Sequence, residues 1–244
     1  MTYQETLNDI LKEYSMKDNE THTNCPICDF NIIHPDFVYC NSYFCTEKIK
    51  RIRCDFCQTV FGPISIMQLN EYEMLELYKL VYSFFVEGNT EELQKKIFFL
   101  LTPQKNGKYL NYACGEWGSG IKNILSEGYD VYGYEPVLLI DHDKIITNFS
   151  NIPKNLDGLF SNNFIEHLKN PIKQFKEWNS LLKIGSSMIH RGEYEYIKNN
   201  CYESSNFHLL YLSRMGVEIL SERTGFIPNF IDNKTVKFIK KTDN

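Results

Sequence analysis

The sequence predicts an α/β chain, with a doubly wound sheet in its second half and a small cysteine-rich domain ahead of it. Three observations predict it. A short apolar strand, Lys108 to Tyr112, runs into the small-residue stretch Ala113-Cys114-Gly115-Glu116-Trp117-Gly118-Ser119-Gly120. After a helix-length gap a second strand, Asp130 to Tyr134, ends on Glu135-Pro136. Ahead of both stand two C-x-x-C pairs, Cys25-Pro26-Ile27-Cys28 and Cys54-Asp55-Phe56-Cys57. Strand, glycine turn, helix and a strand ending in an acid make one nucleoside-binding half of such a sheet. Paired knuckles make a small domain that lacks an adequate core and leans on metal.

From the N-terminus, Met1 to Ile10 carries acids and no apolar run, so no secretory signal is read there and a reducing, cytoplasmic setting is expected for the cysteines. Each knuckle puts two thiolates within reach of one tetrahedral ion, and two complete a four-sulfur shell at Zn–S distances of about 2.3 Å. Cys25, Cys28, Cys54 and Cys57 are therefore the expected ligands of one structural Zn2+, all four positions being filled by protein. Disulfides or a redox pair are the competing readings, and a thioredoxin-type site would use one motif, not two. Cys40 and Cys45 lie between the knuckles, and either can replace a ligand. Lys48, Lys50, Arg51 and Arg53 form a basic run beside the second knuckle, read as a solvated strand edge in preference to a contact for a phosphorylated substrate.

Met67 to Leu101 reads as helical. Tyr72, Leu75, Leu77, Tyr78, Val81 and Phe85 give an apolar face, broken near Gly88-Asn89-Thr90, with Thr90 as the expected N-cap of the next helix. Residues 1–66 then form the N-terminal helix and zinc-binding domain, 67–104 the connecting helices or lid, and 105–244 the sheet domain. At 244 residues and 43% hydrophobic composition the chain can bury one full α/β core plus a small knuckle domain. A formal net charge of −5 argues against a surface that tracks nucleic-acid phosphates, and no stretch approaches the ~20 apolar residues of a membrane span.

The glycine order selects the nucleoside. A dinucleotide site wants G-x-G-x-x-G, whereas this run reads Gly115-x-x-Gly118-x-Gly120. It resembles the first motif of class I S-adenosylmethionine-dependent methyltransferases, with Asn111 where that family has Asp or Glu and Trp117 in a slot usually held by Gly. Later segments fall in the family's order: Leu156 to Asn162 as fourth strand, then Glu166-His167-Leu168 and Pro171 opening a helix with Phe175, Trp178, Leu181 and Leu182 at helical spacing. Leu182-Lys183-Ile184-Gly185 resembles the turn into the fifth strand, and Phe207 to Ser213 with Gly225-Phe226 the closing segment. The resemblance implies a Rossmann-like seven-stranded sheet binding S-adenosylmethionine. It puts Asn111, Ala113, Gly115, Trp117, Gly118, Gly120, Glu135, Pro136, Ser161, Asn162 and Asn163 at the cofactor, with Glu135 accepting the ribose hydroxyls.

For the acceptor, a zinc-binding N-terminal domain resembles that of the C-methyltransferases of nucleotide-linked deoxysugars, whose later motif reads Y-H-E-H-L-S-Y-F-S. Aligned on His208, this chain has Asn206 and Phe207 where that motif has His and Glu. Carbon methylation needs a base for a C–H proton, while a hydroxyl needs only one base and an anionic oxygen mainly positioning. The expectation is an O-methyltransferase acting on a sugar, a glycan precursor or a related phosphorylated small molecule, with C-methylation of a ketosugar as the alternative. His208 and then His167 are the expected bases, since histidine titrates near neutrality and both fall on loops expected at the carboxyl ends of strands. Arg191, Glu193 and Tyr211 are expected substrate contacts, and His34, Cys114 and Cys201 structural. A ribosomal RNA methyltransferase and a non-catalytic binding protein are the competitors from other classes. The acidic balance and Asn162-Asn163-Phe164-Ile165, which is no amino-methylation loop, stand against the first.

Overall fold

The computed structural model describes residues 3–17, 23–85, 88–115, 120–137, 142–194 and 203–243. The chain divides into two compact units. One gathers Met1–Val86, Ile165–Pro171 and Glu193–Leu220, and the other Glu87–Phe164, Ile172–Gly192 and Ser221–Asn244. The division is not collinear with the sequence. Residues 165–171 and 193–220, expected within the sheet domain, pack with the N-terminal part instead, and the expected connecting region splits between the two units.

In the first unit, α1 (Tyr3–Lys17) precedes β1 (Thr23–Asn24), β2 (Asn31–Ile32), β3 (Asp36–Ser42), β4 (Lys48–Arg53), β5 (Val60–Phe61), α2 (Ile64–Met67) and α3 (Glu71–Tyr82). Leu7 and Leu11 of α1, spaced one turn apart, meet Met74, Leu77 and Val81 of α3 in one buried cluster. The cap of α3 is reciprocal: the Asn70 side chain accepts from the Glu73 N–H, and the Glu73 carboxylate accepts from the Asn70 N–H. Tyr72 and Phe85, expected on the apolar face, are exposed, because the buried stripe runs through Met74 rather than Tyr72.

The five-stranded sheet of this unit runs β11-β3-β4-β5-β12, where β11 (Glu203–Ser204) and β12 (Leu210–Tyr211) come from the late segment. They pair with β3 and β5, Ser204 opposite Ser42 and Leu210 opposite Phe61, so both edges of the hairpin strands gain backbone partners. This edge pairing is the physical reason why 203–211 leaves the sheet domain. It also places β4 at the centre, not at an edge. Arg51, read from the basic run as solvated, is 1% exposed on the face it shares with Ile49.

In the second unit, α4 (Glu91–Leu100), β6 (Lys108–Tyr112), α5 (Gly120–Ser126), β7 (Asp130–Tyr134), β8 (Ile145–Ile146) and β9 (Leu156–Asn162) are followed by α6 (Pro171–Leu181, its first residue grouped with the other unit) and β10 (Leu182–Arg191). After α7 (Arg214–Arg223), whose first seven residues group with the other unit, come β13 (Phe226–Phe230) and β14 (Thr235–Lys240). Thr90 makes no side-chain cap for α4; the Asn89 side chain accepts from the Glu91 N–H in its place. The sheet has seven strands in the order β13-β14-β10-β9-β6-β7-β8, with β6 to β10 parallel and β14 antiparallel to both neighbours. This is the expected α/β, Rossmann-like seven-stranded class.

Alternation along β6 assigns its faces. Tyr109 joins Ile97 and Phe98 of α4, Leu101 just after it, and Ile121 and Ile124 of α5 in one core, whereas Tyr112 points the other way, onto Trp178 of α6, ring centroids 5.2 Å apart. Lys240, at the end of β14, ties that strand to α6 and to the start of β10, its buried Nζ donating to the carbonyls of Asn179 and Leu182. The chain leaves β6 toward β7 and β8, then returns on the far side of β6 as β9. That reversal is the topological switch point, where open α/β sheets bind ligands outside the strand carboxyl ends.

Candidate active site

At the switch point of the second unit three loops hold the expected cofactor residues. The loop after β6 enters left-handed backbone at once, Ala113 at φ 55° and Gly115 at φ 62°. Such backbone is costly for a residue with a Cβ, and it clusters at ligand sites. Glu135, at the tip of β7 and 6% exposed, accepts the Gly115 N–H at 3.0 Å and the Val137 N–H at 2.9 Å. A carboxylate is thus fixed against the glycine loop, on the strand next to it. Pro136 follows, exposed. Gly120 opens α5 close against α4, where a Cβ would meet the Glu91 backbone at 3.4 Å. Trp117 and Gly118 lie outside the described residues.

The other expected cofactor residues take different surroundings. Asn111 is buried and donates to Gln94 Oε1 at 2.7 Å, while Gln94 Nε2 donates to Thr90 Oγ1 and to the Cys114 carbonyl. Asn111 thereby braces the glycine loop through α4. Ser161 is bonded to His190 Nδ1 at 2.8 Å, also buried. Asn162 Oδ1 is buried without a hydrogen-bond partner among the described residues, an acceptor left open at the end of β9. Asn163 follows at φ 48°, its N–H donating to the Arg191 carbonyl. An orphaned acceptor, a fixed carboxylate and a left-handed small-residue loop fit a nucleoside carrying hydroxyl and amino donors.

In the first unit the four expected cysteines converge. Their Sγ atoms all lie within 4.8 Å of one another, with Cys25 to Cys57 at 3.6 Å and Cys28 to Cys54 at 3.5 Å. A tetrahedral shell with Zn–S of about 2.3 Å has S···S edges of about 3.8 Å, so the donor set fits zinc. The two knuckles share one backbone design. The Cys25 N–H donates to Phe30 O and the Asp29 N–H to Cys25 O; the Cys54 N–H donates to Thr59 O and the Gln58 N–H to Cys54 O. Asp29 and Gln58 close these turns at φ 64° and 63°. The Cys25 thiol, bonded to Cys57, is pushed up, and the same bond holds Cys57 down at about 5, while burial raises Cys54 to about 11. Cys40 packs with Val38, Ile49, Val60 and Tyr211, and Cys45 contacts the Glu47 carbonyl; among the described residues neither belongs to the four-sulfur cluster.

The same unit brings the two expected histidines together. His167 lies in a 3-10 turn, Ile165–His167, and His208 on the loop between β11 and β12. His208 is therefore on a loop of the five-stranded sheet, not at a carboxyl end of the seven-stranded one as expected. Their rings meet edge to face at 4.9 Å. Each Nδ1 has a tyrosine hydroxyl beside it: Tyr78 at 3.1 Å from His167 and Tyr211 at 3.3 Å from His208. Burial, then the neighbouring His167, lowers His208 to about 3, so its imidazole is neutral at physiological pH. Tyr211 is 3% exposed, and its hydroxyl also meets Ser204. Glu193 offers its N–H to the Glu166 carboxylate at 2.8 Å. Arg191, in the other unit, ends β10 half-buried. His34 follows β2 at the first knuckle, Cys114 is buried in the sheet core, and Cys201 lies outside the described residues.

Sequence reasoning missed Arg51, Ser204, Glu166, Gln94 and Asn162's open acceptor. Arg51 had a signal, the period-two face shared with buried Ile49; Ser204 had none without the edge pairing that brings β11 beside β3, and Glu166, read only within the Glu166-His167-Leu168 motif, was given no role of its own.

No family model matches the chain, and no curated protein matches it. Among solved structures, it is similar to 1,6-didemethyltoxoflavin-N1-methyltransferase of Burkholderia thailandensis, solved with 1,6-didemethyltoxoflavin and S-adenosylhomocysteine, at 12% identity over 80% of this chain and 96% of that one, TM-score 0.55. It is also similar to Streptomyces venezuelae DesVI, at 11% identity over 71% and 99%, TM-score 0.49, and to phosphoethanolamine N-methyltransferase 2 of Haemonchus contortus in complex with S-adenosyl-L-methionine, at 19% over 56% and 37%, TM-score 0.44. The matched part of this chain spans 37% of that last protein's length. The first of these shows the fold: this chain has the Rossmann-like fold of a methyltransferase.

Proposed function

We propose that the protein is an S-adenosylmethionine-dependent O-methyltransferase acting on a sugar, a glycan precursor or a related phosphorylated small molecule, at a hydroxyl or at a phosphate or phosphoramidate oxygen. The observation that carries the cofactor is Glu135, buried at the tip of the second strand and bonded to the glycine loop. Bound there, S-adenosylmethionine supplies an electrophilic methyl on its sulfonium. Glu135 holds the ribose diol, Ala113, Gly115 and Gly120 let the backbone approach the amino-acid end, Asn111 braces that loop, and Asn162 Oδ1 takes a donor from the nucleoside. Trp117, Gly118, Pro136, Ser161 and Asn163 complete the proposed surround.

His208, neutral and buried beside His167, is the base that accepts the acceptor's hydroxyl proton. Arg191 and Glu193 are each proposed substrate contacts. Oxygen is favoured over carbon by position 207, which carries Glu in the C-methylating pattern. Here Phe207 is 2% exposed and packs on Tyr78 and Phe44, supplying no base. Carbon methylation of a ketosugar is the second reading, favoured by Glu166, a 2% exposed carboxylate whose charge acts on His208. In the N-terminal part, Cys25, Cys28, Cys54 and Cys57 hold a structural Zn2+, with no coordination position left for a reacting water.

The test uses nucleotide-linked ketosugars in deuterated solvent with S-adenosylhomocysteine, alongside methyl transfer to sugar hydroxyls and sugar phosphates. Transfer to oxygen with no exchange of the α-hydrogen is expected. Exchange of that hydrogen would replace the oxygen assignment by the carbon one.

A further inference from the structure

At the end of the seven-stranded sheet away from the glycine loop, beside the starts of β6, β9 and β10, the second unit holds a cavity of about 420 Å³. Every residue that lines it belongs to that unit. A bulge in β10 opens it. Leu182 pairs with Leu156 and Ser187 with Gly158, so four residues of β10, Lys183 to Ser186, stand against the single Asp157 of β9. Gly185 turns this stretch at φ 82°, a conformation that suits a residue without a Cβ. Lys183 Nζ ties it to one oxygen of Asp157 at 2.6 Å, and the other oxygen accepts the Lys108 N–H at 2.9 Å.

The side chains of Ser187, Lys237 and Ile239 share one face of the sheet, since Ser187 lies opposite Ile239 and Ile189 opposite Lys237. It is the face of Tyr109, because Ile189 and Tyr109 belong to one core. Ser187 and Lys237 are diagonal neighbours on paired strands, about 7–8 Å apart, so a hydroxyl and an ammonium can hold one small group between them. Some polar groups at the cavity are already engaged: the Thr102 hydroxyl donates to the Leu101 carbonyl, and the Gln104 side-chain amide to the Thr102 carbonyl. Others are not. The half-buried Lys237 ammonium and the Ser186 and Ser187 hydroxyls have no hydrogen-bond or ion-pair partner among the described residues.

We infer that this cavity is a second ligand site, taking a small organic carboxylate with an apolar body. A half-buried ammonium has lost part of its water, and an anion that accepts its hydrogen bonds restores what the chain does not supply. The charge count selects the anion. The charged residues at the cavity are Asp157, Lys183 and Lys237, and the first two are paired with each other. Lys237 therefore balances one negative charge, as a carboxylate carries, whereas a phosphate monoester brings about −1.5 to −2 at neutral pH. The Ser186 and Ser187 hydroxyls are donors for the carboxylate oxygens, and Leu101, Tyr109 and Ile239 give the rest of the molecule an apolar surface. The volume lies within the ~300–1,000 Å³ of small-molecule pockets, large enough for a body beyond the carboxylate itself. None of the residues proposed at the cofactor lines this cavity, so its occupancy does not depend on S-adenosylmethionine binding.

The test labels the whole zinc-loaded protein with 15N and titrates it with acetate, butyrate and hexanoate, with hexanol and inorganic phosphate as controls. Saturable shifts are expected at the amides of Ser186, Ser187 and Lys237, with affinity rising from acetate to hexanoate as more apolar surface is buried. Hexanol and phosphate should give no saturable shift there. Lys237→Met should weaken hexanoate binding by about tenfold or more, as for a lost hydrogen bond to a charged group, and Lys237→Arg should keep it. Ser187→Ala should also weaken it and serves where Lys237→Met does not fold. Shifts at Gly115 with none at these three amides would put the carboxylate in the cofactor loop and overturn the inference. So would no saturable shift with any carboxylate, a response to hexanol or phosphate equal to that of hexanoate, or unchanged affinity in the folded variants.

Discussion

His208 illustrates how burial makes a residue useful and costly at once. Its ordinary value is 6.5 and its folded value about 3. Between the two, the unfolded chain binds a proton that the folded chain does not, so acid favours unfolding across that window. The sign is definite for this depressed base: the loss is absent above about 6.5 and grows as pH falls toward about 3. His208→Gln removes that term, so the stability of wild type relative to the variant should shrink as pH is lowered through the window, as read by urea unfolding at a series of pH values. An unchanged difference would remove the titration from the account. For turnover, His208→Ala should lower the rate about 10²–10⁴-fold with little change in cofactor affinity if a hydroxyl is the acceptor, and far less if the acceptor is already an anion. Glu135 was legible because an acid ending the second strand has few other uses. Arg51 was missed although it shares a period-two face with Ile49, because that alternation alone does not tell whether the strand lies at an edge or at the centre of a sheet.

Among the elements, the knuckles and the parallel strands follow from local pattern, while the short edge strands do not. β11 and β12 are two residues each, too short for any alternation to register, and they exist because β3 and β5 offer unpaired backbone. The cap of α4 shows the same limit, since Asn89 and Thr90 are both good capping residues and only the backbone geometry selects Asn89. The knuckle loops carry few apolar residues of their own, so metal supplies what packing does not. Purified protein should contain one zinc per chain. Cys25→Ser should release it and expose the amides of β1 to β5 to hydrogen exchange, while those of β6, β9 and β10 stay protected, because local metal-binding energy is local folding energy. Zinc retained at one per chain in the variant would show that the ligand set is wrong. The link to the histidines is direct within this unit: Ser213, two residues after Tyr211, donates to the Cys57 carbonyl.

Across the whole molecule, the order of strands, the switch point and the cysteine cluster could all be anticipated from motif order, and the division of the chain could not. A linear reading assigns each stretch to its sequence neighbours, whereas 165–171 and 193–220 join the unit of Met1–Val86, across the intervening stretch 87–164. No helix among the described residues is long and apolar enough to cross a membrane. The central claim is that the loop after β6 and the acid at the tip of β7 bind S-adenosylmethionine. Calorimetric titration of the zinc-loaded protein with S-adenosylmethionine and S-adenosylhomocysteine tests it most directly. The account expects one site per chain for each, weakened by roughly 1.5–3 kcal/mol in Glu135→Ala, as for a lost hydrogen bond to a charged group. Wild-type affinity in that variant would remove Glu135 from the site, and no binding to the intact protein would contradict the enzyme reading and leave a scaffold on a methyltransferase fold.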